Sequence, residues 1–586
     1  PGGRGRRSVG AAGTAPRAEA IERLQSWAQV LREVPQGQGG EHKATVQTVA
    51  GNAYLKHSDG EVRLWAAKCL AEGLRIFAPE PPLTARQRRA TLDLFIEQLR
   101  GLAAPRSAGF VHALGLLEEL TDVRAFMLAF ECEGHEEELF ASLAGVCLAA
   151  ARADEDGVLE GQLARLVSEV LGECDDIPEA VLRALIGELT TGPRRRERGL
   201  GQGSRSGDLV RRILGSLADR NAVLPINQFL NKALYASPSE TAQQDAPAEE
   251  EEAAESSMVA AERRDALFKA IYELYTIDPK LVSRVIPHLH ADLVCKDDDR
   301  RRAVTTLVGR LLAHYPVPIG CDAQEMLLER YPLLLDRHLE RSEDLDEGVR
   351  LAAWEGAKDL LLTAAARQTS TATGAAGAGN EGGPLEAAAE RIQRRLAERS
   401  LDPSEGVRQK VVQVAAEVAV ASPAGLRLLA PALPEVCARV LDRRPRVREA
   451  AAEAMARLYA THVLPEAVTG QCARAEELQW VPRLLCESFQ VFALGRLGHT
   501  TQIEEYLEQH VLGCGAPSYG AKERARSLLA FVGAALGEER SARGLGLLLA
   551  RKREAHAALR RYLQVRLRRA APVLEANRPR DGSPGG

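Results

Sequence analysis

The stretches Asp344–Arg350 (DLDEGVR), Asp402–Arg408 (DPSEGVR) and Asp442–Arg448 (DRRPRVR) are three copies of one pattern. In each copy an arginine follows an aspartate by six residues and comes directly after a valine. A stretch rich in alanine, valine and leucine then follows the arginine. Repetition of this kind predicts a stack of similar helical units, in which each unit buries its apolar face against its neighbours rather than in one central core.

The spacing of the copies indicates the type of repeat. Arg408 and Arg448 are 40 residues apart, and Arg350 and Arg408 are 58 apart, but the second interval contains the low-complexity stretch 368–384. Removing those 17 residues leaves 41. Both intervals agree with the roughly 40–47 residues of HEAT and armadillo units. Pro434, eight residues before Asp442, makes the third copy similar to the full HEAT consensus, whereas the first two copies have only its Asp–Arg half.

The residue types suggest how the units are joined. We predict that each aspartate lies at the turn between two paired helices and caps the second helix. The arginine near the first turn of that helix would pair with the aspartate of the adjacent unit, so that a ladder of ion pairs follows the stack. One such pair alone would fit a solvated charge pair, and the recurrence favours the ladder. The predicted ladder residues are Asp344, Arg350, Asp402, Arg408, Pro434, Asp442 and Arg448.

Length and composition fit this fold class. A chain of 586 residues is too long for one compact core, and it is 45% hydrophobic but only 4% aromatic. We therefore predict an all-α, extended and curved HEAT-repeat α-solenoid. The net charge of −5 does not suit a bulk polyanion binder. No CxxC pair occurs, so we expect reduced thiols, and no apolar run approaches the roughly 20 residues of a membrane span.

Biased composition marks the segments outside the solenoid. We predict a disordered segment at 1–18, a solenoid over 19–576 and a disordered tail at 577–586. Flexible inserts are predicted at about 193–207, 237–257 and 368–384, because they cannot bury enough apolar surface to offset the entropy of ordering. The chain does not begin with Met and has no apolar signal core, so we interpret it as a fragment or a processed chain.

No enzyme signature is found. The sequence has no G-x-S-x-G elbow, and the glycine-rich 199–207 lacks the GK[ST] ending of a phosphate-binding loop. Cys132 with His135, and His288 with His290, lack the fourth ligand and the spacing of a structural zinc site. We predict a protein without catalytic or metal-ligating residues. A catalytic site hidden in a polar pocket is a weaker alternative.

The predicted helix 551–569 is strongly basic, with eight basic residues and one acidic residue. Such a helix suits DNA, a phosphorylated ligand or an acidic partner, but an ordinary solvated face or a terminal cap has the same pattern. The candidate anion or nucleic-acid patch consists of Arg551, Lys552, Arg553, Arg560, Arg561, Arg566, Arg568 and Arg569.

Two segments resemble a known family. Asp59–Leu83 (DGEVRLWAAKCLAEGLRIFAPEPPL) and Ile271–Leu312 are similar to the sister-chromatid cohesion regulators of the "precocious dissociation of sisters" family. That family has a VR-L-x-A-x-CLA helix followed by RIYAPEAPY or RIYAPDAPY. The similarity covers roughly residues 40–560, about the N-terminal half of a typical member. Pro81 replaces an alanine of the family pattern, and Leu83 replaces its tyrosine.

The resemblance implies a nuclear, chromatin-associated scaffold without enzymatic activity that controls sister chromatid cohesion. It implies binding of the kleisin subunit of cohesin, and of the wings-apart-like release factor, the cohesion acetyltransferase and a sororin-type protector. Inositol hexakisphosphate is implied as a ligand, with no residues assigned to it. Direct contact with DNA and the surface that binds kleisin stay open.

The resemblance also implies a docking surface for regulator peptides. Its residues are Arg75, Ala78, Pro79, Glu80, Pro81 and Pro82. Three prolines in four positions would pre-form an exposed segment, and the Glu80 carboxylate would hold a partner arginine. The alternative is that the prolines simply end a helix and begin a loop. For the whole chain the alternative function is a HEAT-repeat nuclear transport receptor or another α-solenoid adaptor, because fold alone does not separate these functions.

Overall fold

The computed structural model describes residues 17–107, 109–132, 134–191, 205–235, 250–314, 327–372, 383–469, 473–493, 497–511 and 520–576. No residue in these ranges belongs to a β-strand, so the all-α prediction is confirmed. The chain divides into two compact units, 1–288 and 289–586. None of the described helices is long and apolar enough to cross a bilayer.

The first unit is a succession of helices. They are α1 Arg17–Glu33, α2 Lys43–Val49, α3 Asn52–Leu55, α4 Gly60–Phe77, α5 Ala85–Leu99, α6 Phe110–Asp122, α7 Glu136–Ala153, α8 Glu160–Leu171, α9 Glu179–Thr191, α10 Arg205–Leu217, α11 Val223–Tyr235 and α12 Glu250–Ile277. Helix α1 packs on α4, α8 on α10 and α9 on α12. The boundary between the units falls within α13, Ile286–Asp292.

The second unit contains the three sequence repeats. Its helices are α14 Asp298–Ala313, α15 Leu327–Arg330, α16 Pro332–Glu340, α17 Glu347–Ala372, α18 Pro384–Arg399, α19 Glu405–Ala421, α20 Pro423–Leu429, α21 Leu433–Cys437, α22 Pro445–His462, α23 Leu464–Thr469, α24 Ala473–Glu477, α25 Trp480–Phe492, α26 Leu497–Tyr506, α27 Ala521–Ala535 and α28 Glu539–Ala576.

The long helices of this unit stack in chain order. Helix α14 packs on α17, α17 on α19, and α19 on α22, while α25 packs on α28. Each helix therefore buries apolar residues against the helices before and after it, as in a HEAT-type α-solenoid. The α14–α17 contact is close, because a Cβ added at Gly356 of α17 would lie 2.6 Å from the Cα of Gly309 in α14.

Local sequence determines where the helices begin. The Asp59 carboxylate accepts hydrogen bonds from the Glu61 and Val62 N–H groups at the start of α4. Thr84 and Gln87 form a capping box at the start of α5. Pro384 occupies the first turn of α18, where its missing N–H removes no helical hydrogen bond.

Helices extend into each predicted insert, so three predicted boundaries were wrong. Residues 205–207 belong to α10, residues 250–257 to α12, and residues 368–372 to α17. The alanine and glutamate residues of 250–257 are good helix formers. The prediction of an insert rested on their low hydrophobicity and did not take this helix propensity into account. Residue 17 likewise begins α1. The remaining parts of the inserts, with residues 1–16 and 577–586, lie outside the described residues.

Candidate functional sites

Three buried ion pairs connect successive helices of the second unit. Arg301 of α14 binds the Asp344 carboxylate through Nε and Nη2, at 3.1 and 2.9 Å. Arg350 Nη2 of α17 lies 3.3 Å from Asp402 Oδ1. Arg408 of α19 binds Asp442 through Nε and Nη2, at 2.8 and 3.0 Å. The structure thus places two of the predicted arginines, Arg350 and Arg408, in direct contact with predicted aspartates of the next unit.

The six-residue spacing has a local cause. Nη1 of Arg350 donates to the backbone carbonyl of Asp344 at 2.8 Å, six residues earlier. Arg408 makes the same bond to Asp402 at 2.8 Å. One guanidinium therefore closes the turn of its own unit and binds the carboxylate of the next unit, which requires the five donors and planar geometry of arginine.

The last described step of the ladder differs. Arg448 Nη1 donates to the Asp442 carbonyl at 2.9 Å, as in the other copies. The Arg448 guanidinium lies 4.8 Å from the centroid of the Phe492 ring in α25. This arrangement is a cation–π contact, whereas the earlier steps pair an arginine with an aspartate. Pro434 lies in the first turn of α21 and begins that helix rather than joining the ladder.

The predicted capping role of the aspartates was wrong. Asp402 Oδ1 accepts from the N–H of Ser404 at 2.8 Å, and it is the Ser404 hydroxyl that accepts from the Gly406 and Val407 N–H groups of α19. Asp442 Oδ1 similarly accepts from the N–H of Arg444, the residue preceding α22. The ladder aspartates therefore hold the N-cap residue in place, and their carboxylates bind the neighbouring arginine through both oxygens.

The ladder lowers the pKa of two of its carboxylates, those of Asp344 and Asp442. Burial raises the pKa of Asp442, but hydrogen bonds from Arg408 and from the Arg444 N–H outweigh burial, so that the pKa lies below its ordinary value. Asp344 follows the same balance, with Arg301 as the main opposing group, and its pKa is lowered. Both carboxylates are thus charged at neutral pH.

Two further arginines make the same turn contact and were missed. Arg301 Nη1 donates to the Cys295 carbonyl at 2.8 Å, six residues earlier. In the first unit, Arg63 Nη1 donates to the carbonyl of His57, also six residues earlier. Both lack the aspartate of the pattern, because only a backbone carbonyl is needed at that position. The Val62–Arg63 dipeptide is the signal that could have found the second of them.

The predicted docking segment connects α4 and α5. Pro79 and Glu80 are exposed, whereas Pro81 and Leu83 are buried and Ala78 and Pro82 are half-buried. The prediction of an exposed three-proline segment was therefore wrong at Pro81, which anchors the loop. What the loop presents to solvent is one proline and one carboxylate.

Arg75, predicted as part of this surface, is engaged inside the unit. Its Nη2 donates to the carbonyls of Leu31 and Val34 at 2.9 and 3.0 Å, at the end of α1. Its Nε donates to Glu72 Oε2 at 2.6 Å. These bonds satisfy carbonyls that a helix end leaves without intrahelical partners. Arg75 thus holds α1 against α4 beside the docking segment.

The basic residues of α28 fall into two groups. Arg551 Nε lies 2.9 Å from Glu504 Oε1 of α26, and Lys552 pairs with Glu504 and Glu508. These two therefore join α28 to the preceding elements. The other six are exposed: Arg553, Arg560, Arg561, Arg566, Arg568 and Arg569.

Comparison with known families decides the classification. The family model of the "sister chromatid cohesion protein PDS5 protein" matches residues 18–578, which is nearly the whole chain.

The chain belongs to the PDS5 family.

Curated PDS5 proteins are the relatives it resembles. It is 25% identical over 436 residues to sister chromatid cohesion protein PDS5 homolog B of Mus musculus, covering 74% of this chain and 26% of that protein. It is 25% identical over 474 residues to PDS5 homolog A of the same species, covering 78% and 31%. The chain thus spans about a quarter to a third of the length of these relatives.

A solved PDS5 structure shares the fold. The structure of the Pds5–Scc1 complex superimposes with a TM-score of 0.61, covering 91% of this chain and 73% of that one, at 16% sequence identity. This likeness supports the helical-repeat fold predicted from the sequence. The resemblance to cohesion regulators is confirmed by the family match.

This PDS5-family chain also has a cationic groove between α8 and α10. The groove has a volume of about 360 Å³, and its lining includes Arg165, Arg212 and Arg220. The Arg165 guanidinium forms an ion pair with Glu169 at 3.0 Å, and the Arg212 guanidinium forms one with Glu160 at 3.4 Å. The groove therefore offers an anion a positive, partly neutralised wall.

His, Cys, Asp and Glu side chains are the potential metal ligands of the chain, and Cys147 and Cys437 are two of its buried cysteines. Within the described ranges, no three His, Cys, Asp or Glu side chains are grouped so as to hold a metal ion. Burial raises the pKa of the Cys147 and Cys437 thiols to about 12, so both are protonated at neutral pH. Protonated, buried thiols are poor nucleophiles.

Proposed function

We propose that this chain is a non-enzymatic scaffold that binds cohesin through its kleisin subunit and thereby regulates sister chromatid cohesion on chromatin in the nucleus. The observation that carries this proposal is the family match over residues 18–578. The shared fold with the Pds5 chain of the Pds5–Scc1 complex supports it. The wings-apart-like release factor, the cohesion acetyltransferase and a sororin-type protector are the proposed regulators.

The scaffold would act by differential binding. A regulator can favour the closed or the releasing state of cohesin only as far as it binds one state more tightly than the other. Surfaces on several helices must then keep their relative positions. The Arg301–Asp344, Arg350–Asp402 and Arg408–Asp442 pairs support this role, because each fixes the register of one repeat on the next.

Copurification tests the proposal against its alternative. The chain is mixed with a kleisin middle fragment or with the GTP-loaded import GTPase, and bound protein is measured. Retention of the kleisin fragment alone supports the cohesin scaffold. Retention of the GTPase alone overturns it in favour of the nuclear transport receptor.

The exposed Pro79–Glu80 loop is the proposed docking point for regulator peptides. Its carboxylate is presented to solvent, while Pro81, Leu83 and Arg75 hold the loop from inside. An arginine of a regulator peptide would make a bidentate pair with Glu80. The kleisin would bind elsewhere on the chain, so the two contacts are separable by mutation.

Replacing Glu80 with lysine should therefore weaken the binding of an arginine-bearing regulator peptide without changing the helicity of the chain. Titration calorimetry should show a loss of at least tenfold in affinity, as expected when one charged pair is replaced by repulsion. Glu22→Lys is the matched control. Glu22 is an exposed glutamate in the first half of α1, whereas Arg75, beside the docking segment, contacts the end of that helix. Equal affinity for the wild type and Glu80→Lys would remove Glu80 from the docking surface.

We also propose inositol hexakisphosphate as an anionic ligand, on the family resemblance. The groove lined by Arg165, Arg212 and Arg220 is the candidate site for this ligand. Calorimetry with the wild type and with an Arg165→Glu/Arg220→Glu variant tests this. Loss of binding in the variant supports the groove, whereas unchanged binding excludes it.

A further inference from the structure

In the second half of α28, residues 553–569 are not covered by any other part of the chain that the structure describes. Every residue from 553 to 569 is exposed. The first half, in contrast, packs tightly on α25: Ser541 and Leu545 are buried, and a Cβ added at Gly544 would lie 1.8 Å from the Cys486 carbonyl oxygen. One continuous helix is thus supported at its beginning and exposed from residue 553 to residue 569.

The bare half continues the packing face of the supported half. Leu563 follows Leu545 by 18 residues, which is five full turns at 3.6 residues per turn, so the two lie on the same side of the helix. Leu559 and Leu567, four residues to either side of Leu563, extend this line, and Tyr562 borders it. These four residues, here called the leucine stripe, are 54% (Leu559), 57% (Tyr562), 48% (Leu563) and 66% (Leu567) exposed.

Exposure of the leucine stripe to water is energetically unfavourable. Most helix stability in proteins comes from packing of an apolar face, which this segment lacks within the described part of the chain. The bare half also has six arginines against one acid, Glu554, so that like charges repel along it. Both effects would be relieved by a partner that supplies aliphatic surface and negative charge.

We propose that the leucine stripe docks an acidic amphipathic helix of a partner protein. Continuity with the α25–α28 interface favours a helix, because the same face already packs on a helix five turns earlier. Charge complementarity requires the flanks of that helix to be acidic. A second copy of this chain would place arginine against arginine, and a nucleic acid would leave the leucines uncovered. This surface is additional to the proposed binding of cohesin and does not depend on it.

The test uses a designed probe, a 21-residue peptide with leucines along one helical face and glutamates on both flanks. A control peptide has the same composition with the leucines distributed around the helix. Fluorescence anisotropy with the full chain should show at least tenfold tighter binding of the first peptide. Leu559→Ser/Leu563→Ser and Arg560→Glu/Arg568→Glu should each weaken that binding at least tenfold, with helicity by circular dichroism unchanged.

Leu529→Ser is the matched control, because Leu529 is a 70% exposed leucine on α27. It should leave binding of the probe unchanged. Equal binding of the two peptides, or no effect of the leucine substitutions, overturns the proposal. So does preferential binding of a 20-base-pair DNA duplex or of anionic phosphatidylserine vesicles, or a stable dimer in light scattering that the leucine substitutions abolish.

Discussion

At the scale of single residues, one arginine side chain explains why the repeats are recognisable in the sequence. Arg408 binds a carbonyl of its own turn and a carboxylate of the next, and Arg350 does the same. The first bond fixes the spacing within a repeat, and the second fixes the spacing between repeats. Lysine, with one ammonium group, cannot make both sets of contacts at once.

Replacing Arg408 with methionine should lower the free energy of unfolding of the second unit by about 3–5 kcal/mol, because it leaves the Asp442 charge buried and unpaired. The side chains of both partners are only 6% exposed. Urea denaturation followed by circular dichroism measures this. Arg337→Met is the control, because the exposed Arg337–Glu340 pair should contribute no more than about 1 kcal/mol. Equal losses in the two variants would contradict a structural ladder.

The lowered pKa values of Asp344 and Asp442 predict a loss of stability in acid. The unfolded chain takes up protons on these carboxyls near pH 3.8, whereas the folded chain resists protonation to lower pH. Their contribution is therefore fully present above about pH 5 and is lost as pH falls through the folded-state pKa values. Asp442→Asn should be less stable than the wild type at pH 7, and the gap should close below pH 3.8. A gap that is constant with pH would contradict this.

At the scale of helices, the crossing of α14 and α17 depends on two glycines. A methyl group on Gly356 would meet the backbone of Gly309, which cannot move without separating the helices. Gly356→Ala should therefore destabilise the second unit by about 1–3 kcal/mol. Gly145→Ala in α7 is the matched control, since its Cβ would meet nothing within 4 Å and should stabilise by about 0.5–1 kcal/mol. Thermal unfolding of both variants tests this, and a neutral Gly356→Ala would refute the close crossing.

His338 of α16 is buried beside the same crossing. Burial lowers its pKa to about 4, from 6.5, so it is neutral at physiological pH. Because the unfolded chain binds this proton more readily, stability should fall as pH drops from about 6.5 to 4. Chemical denaturation of His338→Leu between pH 7 and 4 should lack this part of the pH dependence. An unchanged profile would mean that His338 does not contribute it.

The parts of the fold that were predictable from sequence are those set by local rules. The Asp–Arg spacing, the repeat period and the helical composition each follow from contacts within a turn or between consecutive repeats. The Gly309–Gly356 crossing, the burial of Pro81 and the internal bonds of Arg75 were not predictable, because each depends on residues brought together from distant parts of the sequence. The capping role was misassigned to Asp402, since both Asp402 and Ser404 are good capping residues and only geometry separates them.

At the scale of the whole molecule, the functions proposed for this PDS5-family chain lie on the surfaces of its stacked helices. Pro79–Glu80 in the α4–α5 loop, the leucine stripe on the exposed half of α28 and the arginine groove between α8 and α10 are three such surfaces. A scaffold of this kind would combine kleisin binding with exchange of regulators at a separate loop.

Titration calorimetry of the purified chain with a kleisin middle fragment tests this account most directly. The account predicts saturable binding with one kleisin fragment per chain, retained in Glu80→Lys. A folded chain that produces no saturable binding to any kleisin fragment would contradict it.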